Sequence, residues 1–232
     1  MTLLAILALG FFLGMRHATD ADHVVAVTTI VSRERTPRAA LWIGALWGLG
    51  HSATILLVGG AIVLFGWVIP PRVGLSMEMS VAVMLVVLGL MNLSSALSSI
   101  KQTAHRHDGG AHDQSPLPHV HVRGPLRPLA IGVVHGLAGS AAVALLVLAT
   151  ITSPSLALVY LAIFGAGTVA GMMALTLAMA VPITALSKRF ANLELTLARA
   201  TGVLSIAFGL LLAYQIGFGD GLFTASPRWD PH

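Results

Sequence analysis

Six long apolar segments, separated by short polar stretches, run through the chain. They cover approximately residues 3–31, 39–68, 78–100, 128–152, 155–186 and 195–219. Each is long enough for the roughly 20 residues that a helix needs to cross the hydrocarbon core of a bilayer. The pattern therefore predicts an all-α, polytopic membrane protein with six transmembrane helices.

The first apolar segment is interrupted by polar residues. Residues 16–23 form the run RHATDADH, which places two histidines and two aspartates inside apolar sequence. Ionisable side chains at bilayer depth are costly, and by default they mark a functional site. A straight helix over residues 3–31 would also exceed a hydrocarbon core of about 30 Å, because each residue adds about 1.5 Å. We therefore expect the first helix to tilt steeply or to break near the polar run.

The composition agrees with a membrane protein and excludes some kinds of chemical site. Only 9% of the 232 residues are charged and the mean hydropathy is +0.87, whereas soluble domains carry about 25% charged residues. The net charge of +4 does not indicate nucleic-acid binding, because the basic residues lie in short loops. The chain has no cysteine, which excludes disulfides and thiolate metal sites.

Basic residues predict the orientation in the membrane. The loops after the first, third and fifth segments carry Arg33, Arg35, Arg38, Lys101, Arg106, Arg123, Arg127, Lys188, Arg189 and Arg199. Only Arg72 and Arg228 lie on the opposite side. Because cytoplasmic loops carry the excess of Lys and Arg, we expect a multi-pass protein of the cell membrane with both termini outside.

The longest loop, residues 101–127, is rich in histidine and is expected in the cytoplasm. Its histidines are His105, His107, His112, His119 and His121. A His-rich tract can bind metal ions, and a solvated connector of biased composition is the alternative.

The two halves of the chain resemble each other. His17 and His135 are 118 positions apart, and Leu88-Gly89-Leu90 lies 120 positions before Phe208-Gly209-Leu210. A repeat with three spans must be inverted in its second copy, which is the plan of many secondary transporters. We therefore divide the chain into a first three-helix repeat (1–100), the loop (101–127), and a second repeat with a short tail (128–232).

The polar run of the first segment has the composition of a metal site. On a continuous helix, at about 100° per residue, His17, Asp20 and His23 share one face and Asp22 lies on the opposite flank. If the helix unwinds near residues 18–21, His17, Asp22 and His23 can converge on one ion. A continuous helix therefore favours Asp20 as the ligand, and a broken helix favours Asp22.

Two further histidines lie inside apolar segments. His51 is expected to bind the ion or to lie beside it, whereas His135 is a weaker candidate because no carboxylate accompanies it in sequence. Imidazoles and carboxylates without thiolate suit Ni²⁺, Co²⁺ and Zn²⁺, and ligand chemistry alone does not select among them.

The motifs resemble those of a known family. Residues 16–23 look like the RHA-x-DADH form of the HX4DH motif of the nickel/cobalt transporter (NiCoT) family, and Leu49-Gly50-His51-Ser52 resembles its second, Gly-His-Ser/Thr motif. Residues 132–148 resemble the shorter branch labelled as urease-accessory nickel permeases. The resemblance implies uptake of Ni²⁺ or Co²⁺ for metalloenzyme maturation, with His17, Asp22 and His23 essential and His51 supporting. Because it favours Asp22 over Asp20, it also predicts that the first helix is broken at the HX4DH motif. Longer members of the family have eight spans and further motifs in their second halves. This chain has no such acidic motif in its fifth segment.

A permease is therefore the expected function, with Ni²⁺ or Co²⁺ as substrate rather than as a permanent cofactor. Its expected partners are the divalent ion, the lipid bilayer and cytoplasmic metallochaperones of a nickel or cobalt enzyme. An exporter of the same metals is the nearest alternative. Two enzyme alternatives are a glycerolipid acyltransferase, because residues 17–22 also fit an HX4D pattern, and a membrane metallohydrolase.

Overall fold

A computed structural model describes residues 3–32, 34, 36–67, 69–105, 124, 126–137, 151, 153–187, 190 and 193–229. These residues form seven α-helices and no β-strand. The helices are α1 (Leu3–His17), α2 (Ala21–Val31), α3 (Pro37–Phe65), α4 (Pro71–His105), α5 (Leu126–Gly136), α6 (Pro154–Ser187) and α7 (Leu193–Tyr214). A π-helical turn over Gln215–Gly219 extends α7.

Four of these elements are long and apolar enough to cross a membrane. They are α3, residues Pro71–Ser98 of α4, α6, and α7 with its π-helical turn. Helices α1 and α2 form a fifth span if they are counted together, with a bend of 55° between them. The chain is therefore a multi-pass membrane protein with four to five spans among its described residues.

The predicted fourth span is described only in its first half. Helix α5 covers Leu126–Gly136, and residues 138–150 lie outside the described residues. The count of six spans therefore stays a prediction. The histidines of the loop at positions 107, 112, 119 and 121 also lie outside the described residues.

Helix ends follow local sequence signals. The hydroxyl of Thr36 accepts a hydrogen bond from the backbone N–H of Ala39 at 3.2 Å and caps α3, whose first residue is Pro37. Gly66, with φ of +62°, ends the same helix in the left-handed region that glycine tolerates best. Helix α4 begins at Pro71 rather than at the predicted residue 78, because proline suits the first helical turn.

The break in the first span sends its two halves to different neighbours. Helix α1 packs along α6, whereas α2 packs against α4 and α7 and also contacts α6. The remaining close pairs are α3 with α6, α4 with α7, and α3 with α5. The break therefore lies where the group formed by α1, α3, α5 and α6 meets the group formed by α2, α4 and α7.

A buried amide joins α2 to its neighbours. The Nδ2 atom of Asn92 on α4 lies 3.2 Å from the carbonyl oxygen of Thr29 and 3.2 Å from Oγ of Ser32. It also lies 3.1 Å from Oγ1 of Thr201 on α7. These bonds hold the second half of the first span against α4 and α7.

Candidate metal centre

The centre is built around the interruption of the first span. Helix α1 ends at His17 and α2 begins at Ala21. Asp20 stands at the N-cap of α2 with extended backbone angles, φ −62° and ψ 152°. The short turn is closed by backbone bonds from Thr19 to Arg16 at 2.8 Å and from Asp20 to His17 at 3.1 Å. The prediction of a broken first helix is therefore confirmed.

The break places two potential ligands at the start of α2. Asp22 and His23 lie in its first turn, where the N-terminal end of the helix dipole favours a carboxylate. The side chain of Asp22 is 16% exposed and that of His23 is fully buried.

Histidines from three other helices meet these residues. His17 comes from the end of α1, His51 from the middle of α3 and His135 from the last turn of α5, and all three are buried. The imidazole centroid of His23 lies 4.7 Å from that of His17, 5.1 Å from that of His51 and 4.1 Å from that of His135. The ring of His23 therefore occupies the centre of a four-imidazole cluster.

Close packing of α5 on α3 brings His135 into the cluster. A Cβ atom added at Gly132 would meet the backbone of Trp47 and His51, and one added at Gly136 would meet the backbone of His51. Small residues let transmembrane helices approach closely. These two glycines flank His135 and set its distance from α3.

Hydrogen bonds join the four histidines in two pairs: His17 contacts His51 directly, and His23 is linked to His135 through Asp22. Nε2 of His17 lies 3.0 Å from Nε2 of His51, and Nδ1 of His17 lies 2.8 Å from Oδ2 of Asp20. Asp22 binds two histidines: its Oδ1 lies 3.0 Å from Nδ1 of His23, and its Oδ2 lies 2.9 Å from Nε2 of His135.

Several buried nitrogen atoms of the cluster have no hydrogen-bond partner among the described residues. They are Nε2 of His23, Nδ1 of His51 and Nδ1 of His135. A buried polar atom without a partner costs free energy. A bound cation would give the unpaired Nε2 of His23 a partner.

Two groups of side chains have the spacing of metal ligands. One ligand atom from each of His17, His23 and His51 lies within 4.8 Å of the others, and the same holds for Asp22, His23 and His135. Nitrogen and carboxylate ligands without sulfur suit Ni²⁺ and Co²⁺. The donor set therefore fits a borderline divalent cation.

Comparison with known proteins identifies the family. The sequence model of the NicO family, described as high-affinity nickel-transport protein, matches residues 3–124. The chain is also 38% identical to the urease accessory protein UreH of Bacillus sp. (strain TB-90), over 95% of this chain and 96% of that protein. The chain belongs to the NicO family. It is a nickel permease of the membrane, with Ni²⁺ as its substrate, and not an enzyme.

Two further relatives are more distant. The chain is 27% identical to the Chloroplast protein FOR GROWTH AND FERTILITY 2 of Arabidopsis thaliana, over 92% of this chain and 57% of that protein. It is 33% identical to the hydrogenase nickel incorporation protein HupN of Bradyrhizobium diazoefficiens, over 47% of this chain and 30% of that protein. No solved structure matches the chain.

The geometry also argues against the acyltransferase alternative. In an HX4D pair the carboxylate would orient the histidine as a general base. Here Nδ1 of His17 is bonded to Asp20 and not to Asp22, while both oxygens of Asp22 face other histidines. The NicO chain therefore lacks the contact that an HX4D mechanism requires.

The structure places His135, the weaker candidate in the sequence, beside His23, His51 and Asp22. It lacks an acidic neighbour in sequence, but Asp22 reaches it from a position 113 residues away. The available signal was the spacing of 118 positions between His17 and His135 in the two halves of the chain. This spacing gives both histidines the same position in the proposed repeat.

Proposed function

We propose that this NicO protein imports Ni²⁺, and Co²⁺ as a second substrate, into the cytoplasm through the buried cluster at the break between α1 and α2. The observation that carries the proposal is the convergence of four buried imidazoles and one carboxylate from four helices. Ionisable groups inside a membrane span are costly in free energy, and by default they mark a functional site.

The proposed ligands are His17, Asp22, His23 and His51, with His135 added to them. The side chain of Asp20 is 43% accessible and is hydrogen-bonded to His17, which supports a different role for this residue. A carboxylate that accepts the free N–H of a ligating imidazole fixes the tautomer and orientation of the ring. We assign this orienting role to Asp20.

We further propose that the protein has six spans in two inverted repeats. Equivalent glycines make equivalent contacts in the two halves, which supports the repeat. A Cβ added at Gly14 would meet the backbone of Phe164, and one added at Gly132 would meet the backbone of Trp47. The two glycines are 118 positions apart, and Trp47 lies 117 positions before Phe164.

The third span of each proposed repeat supports the same symmetry. A Cβ added at Gly89 would meet Ile206, and one added at Gly209 would meet Val86. Both of these pairs are related by a shift of 120 positions. Inverted repeats with broken helices and a site near the midplane are the plan of many secondary transporters.

The proposed orientation places both termini outside the cell and the His-rich loop in the cytoplasm. Helix α1 then enters the membrane from outside, whereas α5 enters it from the cytoplasm. Inward movement of a divalent ion across about 100 mV yields about 4.6 kcal/mol. This free energy corresponds to accumulation by about three powers of ten, so a membrane potential suffices to drive uptake.

The relatives support a role in supplying nickel enzymes. One is named a urease accessory protein and another a hydrogenase nickel incorporation protein. We therefore propose that cytoplasmic metallochaperones receive the ion, with residues 101–127 as a metal-buffering or hand-off segment. Replacement of the five loop histidines by alanine is expected to leave the import rate in vesicles largely unchanged.

Proteoliposomes with an imposed potential test the proposal. With the interior negative, the wild-type protein should accumulate radioactive Ni²⁺ from outside, and His17→Ala and His23→Ala should not. The loop variant without histidines is the matched control for loss of imidazoles outside the centre. Wild-type uptake equal to that of empty liposomes would refute the permease, and movement only in the outward direction would favour the exporter.

A further inference from the structure

We propose that the ion is held in turn by two overlapping ligand sets that share His23, and that it passes from one set to the other during transport. Set A comprises His17, His23 and His51, and set B comprises Asp22, His23 and His135. Each offers three ligand atoms within 4.8 Å of one another. This inference rests on the proposed function and deepens it.

Each set contains one pair of donor atoms at the spacing that a single ion requires. Two donors about 2.1 Å from one ion and at right angles would lie about 3.0 Å apart. The Nε2 atoms of His17 and His51 in set A are separated by 3.0 Å. Oδ2 of Asp22 and Nε2 of His135 in set B are separated by 2.9 Å. The centre therefore holds two coordination pairs, with His23 between them.

Asp22 links the two sets because it can serve each of them in a different way. Its Oδ1 accepts hydrogen bonds from the ring and the backbone N–H of His23, at 3.0 and 2.9 Å. When Nδ1 of His23 donates to Asp22, Nε2 becomes its ligating atom, and this atom has no hydrogen-bond partner among the residues that the structure describes. Asp22 orients His23 while the ion is in set A, and it binds the ion directly in set B.

The two sets differ in charge, and the difference favours transfer of the ion from set A to set B. Set A consists of three imidazoles, which bind a metal as neutral groups, whereas set B includes a carboxylate. A divalent ion in set A therefore gains an anionic ligand when it moves to set B. His23 remains a ligand in both sets, so the ion is never without protein contact during the step.

The origins of the helices agree with entry at set A and exit at set B. In the proposed orientation His17 ends the helix that comes from outside, and His135 ends the helix that comes from the cytoplasm. Their rings have equivalent aromatic neighbours: His17 lies 5.7 Å from Phe164, and His135 lies 5.5 Å from Trp47, measured between ring centroids. Two inverted repeats that exchange conformations would expose these two positions alternately.

Counting the imidazole ligands of bound Ni²⁺ tests the inference. X-ray absorption at the nickel edge is measured with one equivalent of Ni²⁺ on purified protein whose five loop histidines are replaced by alanine, so that the loop contributes no imidazole; wild type here means this protein with an unchanged centre. We expect at most three imidazoles in the wild type, three in His135→Ala, which retains set A, and two in His51→Ala, which retains set B. Both variants should still bind Ni²⁺ but lose at least tenfold in uptake rate at saturating Ni²⁺.

The contrary results are distinct from one another. Four imidazoles in the wild type, or three in both variants, would indicate one common site and overturn the two sets. Nickel without any protein imidazole in the wild type would overturn the proposed function itself. If an alanine variant does not yield monodisperse protein, His135→Gln and His51→Gln replace it, since glutamine retains polar character at the position while removing the imidazole.

Discussion

The two aspartates of the polar run should differ in their effect on nickel affinity. Asp22 faces two buried histidines with its two oxygens, and an asparagine there offers only one acceptor. One of the two histidines would then face the NH2 group of the asparagine instead of an acceptor oxygen. An unsatisfied buried polar group costs about 1–3 kcal/mol, and loss of a carboxylate partner of a ligating histidine costs about 10- to 100-fold in affinity. We therefore expect Asp22→Asn to weaken Ni²⁺ binding on the order of 100-fold or more.

Asp20→Asn should have a much smaller effect. Within the described part of the chain, the side chain of Asp20 makes one hydrogen bond, to Nδ1 of His17 at 2.8 Å, and the amide oxygen of an asparagine can still accept it. The side chain of Asp20 is 43% exposed, so water screens the lost charge. We expect Ni²⁺ affinity to fall about tenfold or less, at the lower end of the range for orienting carboxylates.

Isothermal titration of purified protein with Ni²⁺ measures both affinities directly. Asp220→Asn is the matched control, because Asp220 lies beyond the π-helical turn at the end of α7. The Ni²⁺ affinity of this variant should equal that of the wild type. Equal losses for the two variants, or a larger loss for Asp20→Asn, would refute the assignment of Asp22 to the centre and of Asp20 to an orienting role.

Three further outcomes test the packing around the centre. Asn92→Leu should lower stability by about 0.6–1.7 kcal/mol, the range for hydrogen bonds between transmembrane helices, as measured by the midpoint of thermal unfolding in detergent. Gly132→Ala should lower the Ni²⁺ uptake rate at least tenfold, because its Cβ would meet the backbone of α3 and move His135 away from the centre, whereas Gly60→Ala, with only ordinary contact to Leu158, should take up Ni²⁺ at the wild-type rate. Burial raises the pKa of Glu34, and the opposing charge of Arg127 only partly offsets this. Because the folded pKa of Glu34 is raised, its ionisation at higher pH lowers the stability of the folded protein. Glu34→Gln should therefore raise the unfolding temperature at pH 7.5. It should not do so at pH 4, where the carboxyl is largely protonated in the unfolded protein as well, with a pKa of about 4.3.

Much of the first half of the centre could be predicted from local sequence. The excess length of the first segment indicated a steep tilt or a break, and the resemblance to the HX4DH motif, which favours Asp22 over Asp20, predicted the break. His51 was identified as the ionisable residue of an otherwise apolar span, and it lies 3.0 Å from His17. Each of these inferences depends on residues that are close in sequence or on adjacent spans.

The contribution of the second half could not be predicted in the same way. His135 meets Asp22 only because Gly132 and Gly136 let α5 approach α3 closely. No hydrophobic periodicity specifies which glycine surface packs against which helix. The third apolar segment was predicted to begin near residue 78, whereas α4 begins at Pro71, because Arg72 lowers the hydropathy of the first turns of this helix.

The sequence by itself determined that this protein is helical and spans a membrane, because backbone groups in a bilayer must be satisfied within each segment. It also determined that polar residues interrupt the first span. Only the tertiary structure decided that four imidazoles meet at that interruption and that Asp22 lies between His23 and His135. These contacts depend on how α3 packs against α5 and how α1 and α2 pack beside them, and the shape of the helix surfaces, rather than the order of apolar and polar residues, sets that packing.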